Sequence, residues 1–192
     1  MPDDLIADGP VSRVISRPLE PSEPTEAERL RRAELFLALS HLVRYGEELD
    51  ETFRVLAEFL VARTTAMAAA VTLVRYSDLA TLALGYHNLP EGYLEGMERV
   101  RQTSEQGYYL RTRAAADQTY VLRNARLYML ERPEYAHMRD AIERAGYQTL
   151  IGVPFMARPE TIGIVYLYYR QDVDVDDAEL AFARAIGEYA RP

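Results

Sequence analysis

The segment TIGIVYLYYR, residues 161–170, constrains the fold more than any other part of the chain. Its β-branched and aromatic residues are typical of a strand. Successive side chains of a strand point to opposite faces of the sheet. Here both faces are apolar, because Ile162, Ile164, Tyr166 and Tyr168 share one face while Val165, Leu167 and Tyr169 share the other. A strand of this kind must be covered on both sides, so we predict a sheet between two layers.

The flanking segments predict antiparallel hairpins. Residues 149–156 form a second apolar strand, which a turn at 157–160 joins to the first. Residues 69–76 and 79–87 predict another hairpin that turns at Ser77 and Asp78, and Leu82, Leu84 and Tyr86 fall on one parity of its second strand. Residues 119–123 predict a short strand. The sheet is therefore expected to be antiparallel, with five to six strands.

Helical patterns surround these strands. A capping box of Thr25 and Glu28 opens a helix over residues 25–45, and Asp50 is expected to cap the next helix. Further helices are predicted over residues 91–100, 108–116 and 133–145, the last ending at Gly146. A capping box of Asp176 and Glu179 opens the final helix from residue 177. The element order predicts an α+β fold with terminal helices packed on one face and middle helices and loops covering a pocket on the other.

Composition divides the 192 residues into two parts. Residues 1–24 hold five of the ten prolines, which predicts a flexible tail, and residues 25–192 form one domain. The net charge of −8 argues against a nucleic-acid partner. No apolar run approaches the roughly 20 residues of a membrane helix, and the first residues lack an apolar signal core. We therefore expect a cytoplasmic protein without a membrane partner.

Five landmarks, in this order and spacing, resemble those of a GAF domain, a bacterial sensory and regulatory module. They are LDET at 49–52, GYHNLP at 85–90, GYQTLIGVP at 146–154, IGIVYL at 162–167 and VDDAEL at 175–180. The resemblance covers residues 27–189. It implies signal transduction by a domain that binds a small ligand and transmits occupancy through its terminal helices in a homodimer. The output domain would be a fused or partner protein.

The same resemblance restricts the ligand. Bilin-binding GAF domains and GAF-like methionine sulfoxide reductases depend on cysteine, and this chain has none. GAF domains that bind cyclic nucleotides usually carry an Asn-Lys and Phe-Asp-Glu constellation, whereas all 22 basic residues here are arginine. The sequence also has no nucleophile elbow, phosphate loop or zinc signature, so we do not expect an enzyme.

A ligand pocket is implied between the sheet and the layer formed by residues 108–146. The positions that a GAF pocket uses combine aromatic rings, a flexible thioether and one charge, which suits an organic anion or a small aromatic molecule better than a metal ion. They are Tyr120, Leu122, Tyr135, Met138, Arg139, Ile142, Tyr166 and Tyr168.

Two alternatives remain open at this stage. Haem-binding GAF sensors take an axial histidine from the same region, which makes His137 a candidate haem ligand; no other cofactor is expected. The many tyrosines could instead fill the pocket, and the domain would then serve dimerisation or protein interaction. In either case, Leu35 and Leu39 on the helix over 25–45 are expected to contribute to a parallel dimer.

Overall fold

The computed structural model describes residues 26, 49–103, 119–158, 160–173 and 177–189. Its helices are α1 (Leu49–Arg63), α2 (Tyr93–Thr103), α3 (Ala125–Leu130), a 3₁₀ helix (Pro133–Met138), α4 (Arg139–Ala145) and α5 (Asp177–Tyr189). Its strands are β1 (Ala68–Arg75), β2 (Thr81–His87), β3 (Tyr120–Leu122), β4 (Thr149–Arg158) and β5 (Thr161–Tyr169). The helix predicted over 25–45, the tail and the helix predicted over 108–116 lie outside these ranges, except for the helical Glu26.

The five strands form one antiparallel sheet in the order β2-β1-β5-β4-β3. Strand β5 is therefore central, and every residue from Ile162 to Tyr169 is buried. Its two parities belong to two separate cores, one on each face of the sheet. The prediction of a strand covered on both sides is confirmed.

Helices α1 and α5 pack together on one face. The core there contains Phe53 and Leu56 of α1, Val165 and Leu167 of β5, and Ile186 of α5. The rings of Phe59 and Phe182 join the two helices, with centroids 5.9 Å apart. Helices α2 to α4 and the 3₁₀ helix cover the opposite face. The predicted α+β arrangement, a sheet with a layer of helices on each face, is confirmed for the described residues.

Strand β2 differs from its predicted form at its first residues and on its apolar parity. The strand begins at Thr81, because Leu79 takes a left-handed conformation with a φ of 60° and belongs to the turn. The buried residues under α1 are Ala83 and Gly85, whereas Leu82 and Tyr86 remain 44% and 42% exposed. Helix α1 approaches this strand so closely that only small side chains fit beneath it.

Two predicted caps have different roles in the structure. Asp50 lies within α1, and its carboxylate accepts the Leu84 N–H of β2 at 2.8 Å. Glu179 accepts the N–H of Thr65 at 2.6 Å and the hydroxyl of Tyr169 at 3.3 Å. Both carboxylates therefore join helices to other elements. Asp176, the other member of the predicted capping box, lies outside the described residues.

The layer over the second face begins and ends at well-defined turns. Gly146 ends α4 with a φ of 66°, as its position predicted. Asn124 takes a left-handed conformation before α3, in a segment that the sequence left unassigned. None of the described helices combines the length and the apolar character that a membrane crossing requires.

Candidate functional site

The two faces of the sheet differ in chemistry. Among the described residues, the core under α1 and α5 is built from aliphatic residues and phenylalanines, with Tyr169 as its single buried tyrosine. The opposite face, which we call the tyrosine face, buries five tyrosines and packs two half-buried ones against them. These are Tyr93, Tyr135, Tyr147, Tyr166 and Tyr168, with Tyr120 and Tyr128 at the margin. Each ring adds apolar surface together with a hydroxyl that needs a partner.

Seven of the eight predicted pocket residues meet on this face. Six are buried within one cluster, and Tyr120 packs against it half-buried. The six are Leu122, Tyr135, Met138, Ile142, Tyr166 and Tyr168. Arg139 does not join them, because its side chain is exposed and donates to the carbonyl oxygen of Leu130 at 2.9 Å.

Small residues in the sheet make room for the rings. Tyr120, Gly152 and Tyr166 lie side by side on adjacent strands and point to the same face. The ring of Tyr120 lies over Gly152, where an added Cβ would be 2.2 Å from the Tyr120 Cζ atom. In β1, Ala68 and Ala70 occupy the same face opposite Tyr168 and Tyr166. The alternation of small and aromatic residues therefore sets where each ring lies.

Three rings at the centre of the tyrosine face contact one another, and a hydrogen bond joins two of them. Tyr93, Tyr147 and Tyr168 contact one another edge to face, with centroid distances between 5.0 and 5.9 Å. The Tyr147 hydroxyl donates to the Met129 sulfur at 3.0 Å, so the Tyr93 hydroxyl is the donor in the short bond to Tyr147. These contacts give the buried hydroxyls partners within the protein.

Burial perturbs the ionisation of this group. Removal from water raises the pKa values of Tyr93, Tyr147 and Tyr168 well above their ordinary range. Burial likewise raises the pKa of Tyr135. The positive charge of Arg101 acts on the pKa of Tyr168 in the opposite direction, but burial outweighs it. All four hydroxyls are therefore uncharged at neutral pH.

Four polar residues of this face were not among the predicted ligand contacts. Tyr93 begins α2, and Tyr147 follows the Gly146 turn, a position that the GYQTLIGVP landmark could have indicated. Arg101 is buried near the end of α2, and Thr72 is buried in β1 on the same face as Ala70. Arg123, which follows β3, is paired with Asp172 at 2.7 Å.

The candidate haem ligand is engaged elsewhere. The Nε2 atom of His137 donates to the carbonyl oxygen of Gly96 at 3.2 Å. This bond joins the 3₁₀ helix to α2, which approach so closely that a Cβ at Gly96 would lie 2.8 Å from the Met138 Cβ. Among the described residues, no group of three or more histidine, aspartate or glutamate side chains is arranged to bind a metal ion.

Comparisons with known proteins agree with this architecture. The family model described as GAF domain matches residues 48–190. A search of the curated proteins found no match.

Solved structures with the same fold include GAF domains from different bacterial proteins. The phycocyanobilin-bound GAF domain of a cyanobacterial phytochrome is similar with a TM-score of 0.56 at 12% identity, covering 83% of this chain and 91% of its own. The GAF domain/HD domain protein of Geobacter sulfurreducens has a TM-score of 0.54 at 21% identity, with 75% and 90% covered. The GAF domain of a phosphoenolpyruvate-protein phosphotransferase from Coxiella burnetii has a TM-score of 0.54 at 14% identity, with 86% and 93% covered.

Proposed function

The chain belongs to the GAF domain family, and on that premise we propose that it is a sensory module that binds a small molecule on its tyrosine face. The observation that carries this proposal is the chemical difference between the two faces of the sheet. A core that served packing alone would need no cluster of hydroxyls, whereas a ligand site combines apolar rings with a few polar groups. The proposed ligand contacts are Tyr120, Leu122, Tyr135, Met138, Ile142, Tyr166 and Tyr168.

Strand β5 provides the route from ligand to output. Tyr166 and Tyr168 point to the tyrosine face, while Val165, Leu167 and Tyr169 pack under α1 and α5. Glu179 of α5 also accepts the Tyr169 hydroxyl and the Thr65 N–H, so α5 is joined to the end of α1. A ligand that favours one position of β5 would therefore favour one arrangement of these helices. The protein would act as a cytoplasmic regulatory domain rather than as an enzyme.

The proposed output also requires a dimer. The apolar stripe of the helix predicted over 25–45 is broader than one core contact needs, and Leu35 and Leu39 lie on its offset part. We expect the double change Leu35→Glu, Leu39→Glu to give a folded monomer in sedimentation analysis. A wild-type protein that is already monomeric at high concentration would contradict the dimer but not the ligand site.

Native mass spectrometry of the purified full-length protein tests the ligand site. We expect a fraction of the protein to carry a small molecule that is lost on denaturation. Tyr120→Leu should release that molecule without unfolding the domain, since the Tyr120 ring is half-buried at the edge of the cluster. Tyr76→Leu, an exposed tyrosine in the β1–β2 turn, is the matched control and should retain it.

The ring contacts favour a second candidate, a GAF fold whose tyrosine face is filled by its own side chains. Tyr93, Tyr147 and Tyr168 already satisfy much of each other's packing. The domain would then be a dimerisation or protein-interaction module. If the wild-type protein and the Tyr76→Leu variant are dimeric but carry no small molecule, the second function is supported over the first.

A further inference from the structure

Thr72 carries an orphan hydroxyl on the tyrosine face. The residue is 2% exposed, and its Oγ1 atom has no hydrogen-bond partner in the part of the chain that the structure describes. It shares its face of β1 with Ala70 and Val74, both in the tyrosine-face core, and its neighbour on β5 is Ile164. Burying a hydroxyl without a partner is unfavourable, and native proteins seldom leave one in this state without a reason.

Arg101 is a buried cation without a buried anion. The residue is 9% exposed, and its guanidinium donates through Nε to the Leu79 carbonyl at 3.3 Å and through Nη2 to the Thr81 hydroxyl at 2.6 Å. Both acceptors are neutral, and within the described part of the chain the guanidinium has no ion pair. Glu98, three residues earlier on α2, accepts the Thr81 N–H and the Gln102 amide instead. Two of the five donors of Arg101 are used.

The sheet register brings these two groups together. Thr81 pairs with Val74, which lies two residues from Thr72 on the same face of β1. The Arg101 head group is therefore about one strand repeat, roughly 7 Å, from the row that holds Thr72. On the other side of Thr72, the next residue of this face on β1 is Ala70, which pairs with Tyr166 of β5. The Arg101 guanidinium, the Thr72 hydroxyl and the Tyr166 ring therefore follow one another along three successive rows of the tyrosine face.

We propose that Arg101 and Thr72 bind the carboxylate of an organic acid, whose apolar body packs against Ala70 and Tyr166. This inference rests on the proposed ligand site and gives the chemical class of its ligand. The charge that recognises the acid comes from α2 and not from the exposed Arg139 of α4. Guanidinium groups bind carboxylates with strong, oriented hydrogen bonds, and the Thr72 hydroxyl supplies another donor.

Benzoate and its neutral analogue benzamide, titrated into the full-length protein by calorimetry, test the proposal. The two probes have nearly the same shape and differ in charge. A hydrogen bond to a charged group changes affinity by roughly tenfold to a hundredfold, so we expect benzoate to bind at least about tenfold more tightly. Arg101→Gln should abolish the preference for benzoate. Arg184→Gln should preserve it, since Arg184 is a half-buried arginine that also donates to a neutral threonine hydroxyl, that of Thr119, but extends from α5.

The Thr72→Val variant tests whether the Thr72 hydroxyl contacts the ligand or affects only the stability of the protein. Valine keeps the shape of the side chain and removes the orphan hydroxyl, so the ligand-free variant should melt at a higher temperature than the wild type. Its affinity for benzoate should nevertheless fall by about fivefold to tenfold. A variant that is more stable and binds benzoate unchanged would show that Thr72 takes no part in recognition. If Arg101→Gln does not fold, Arg101→Lys keeps the positive charge and should keep a weaker preference for benzoate.

The remaining outcomes distinguish this inference from the proposed function. Equal affinity for benzoate and benzamide would overturn the carboxylate site and leave a small-molecule site in place. Failure of both probes to bind would overturn the organic-acid class, while co-purified ligand in mass spectrometry would still support the sensory function. If, in addition, the wild-type protein carries no co-purified ligand, both the organic-acid site and the sensory function are contradicted.

Discussion

Gly85 is the position where a single added carbon should do the most damage to the fold. A Cβ built there would lie 1.9 Å from the Arg54 N atom, 2.1 Å from the Phe53 carbonyl carbon and 2.6 Å from the Phe53 Cβ. Ordinary contact begins at 3.4 Å, so α1 would have to retreat from β2 by at least about 1.5 Å. Because most of the opposing atoms are backbone, no side-chain rotation can relieve the overlap.

The retreat would loosen the contact of α1 with the sheet. Four residues of α1 are buried there: Phe53, Leu56, Ala57 and Leu60. A gap of about 0.5–1 Å already removes a quarter to a half of the dispersion attraction between packed atoms. We therefore expect Gly85→Ala to lower the free energy of unfolding by about 3–5 kcal/mol, similar to truncating a large core residue.

Urea unfolding followed by circular dichroism measures this change. Gly92→Ala is the matched control, because Gly92 has a φ of 79° and no atom within 4 Å of an added Cβ. Gly92→Ala should lower the free energy of unfolding only by the roughly 1–2 kcal/mol that a residue with a Cβ costs in a left-handed conformation. If Gly85→Ala unfolds at the same urea concentration as the wild type, or is milder than Gly92→Ala, the close packing of α1 on β2 is wrong.

Further predictions concern the centre of the sheet and its tyrosines. Ile164→Asp should abolish folding, since an unpaired carboxylate in the middle of β5 costs several kcal/mol, and a variant with wild-type melting would contradict the central position of β5. Gly152→Ala should displace the Tyr120 ring with a smaller loss of stability than Gly85→Ala, because a half-buried side chain can move where backbone cannot; an equal loss in urea unfolding would refute this. The free energy of unfolding should fall as the pH rises above about 10, because the tyrosines of the unfolded chain lose protons that the native protein retains. The expected decrease is about 1.4 kcal/mol per pH unit for each buried tyrosine. Urea unfolding at a series of pH values measures the slope, and the absorbance of tyrosinate in the folded protein should show late titration of Tyr93, Tyr135, Tyr147 and Tyr168; titration of all tyrosines near pH 10 without unfolding would contradict their burial.

Most of the strands, and the two faces of β5, could be predicted because they depend on local chemistry, whereas the buried face of β2 depends on the close approach of α1. A continuous run of β-branched and aromatic residues identified β5, and Gly146 marked the end of α4 through its left-handed conformation. The register between distant strands could not be predicted, and neither could features that depend on it. Asp50 and Glu179 lie at positions typical of helix caps, but their carboxylates accept hydrogen bonds from the N–H groups of Leu84 and Thr65.

The candidate site was predictable to a similar degree. The family pattern pointed to residues that lie close together, since seven of the eight predicted ligand contacts meet on the tyrosine face. Arg139 was expected to supply the charge because it lies in that region, but its helix turns the side chain to solvent. Arg101 gave no local signal, since its burial results from the packing of α2 over the β1–β2 turn.

The strand order also has a consequence for how the chain folds during synthesis. Strands β1 and β2 form a local hairpin, as do β4 and β5, but β1 meets β5 between residues 86 and 100 positions apart in the sequence. During synthesis, the edge of β1 that pairs with β5 therefore remains unpaired until β5, which ends at Tyr169, has left the ribosome. Such distant pairing is slow, and an open edge invites association with other chains. Truncation before the end of β5 should thus yield aggregated rather than merely weakened protein.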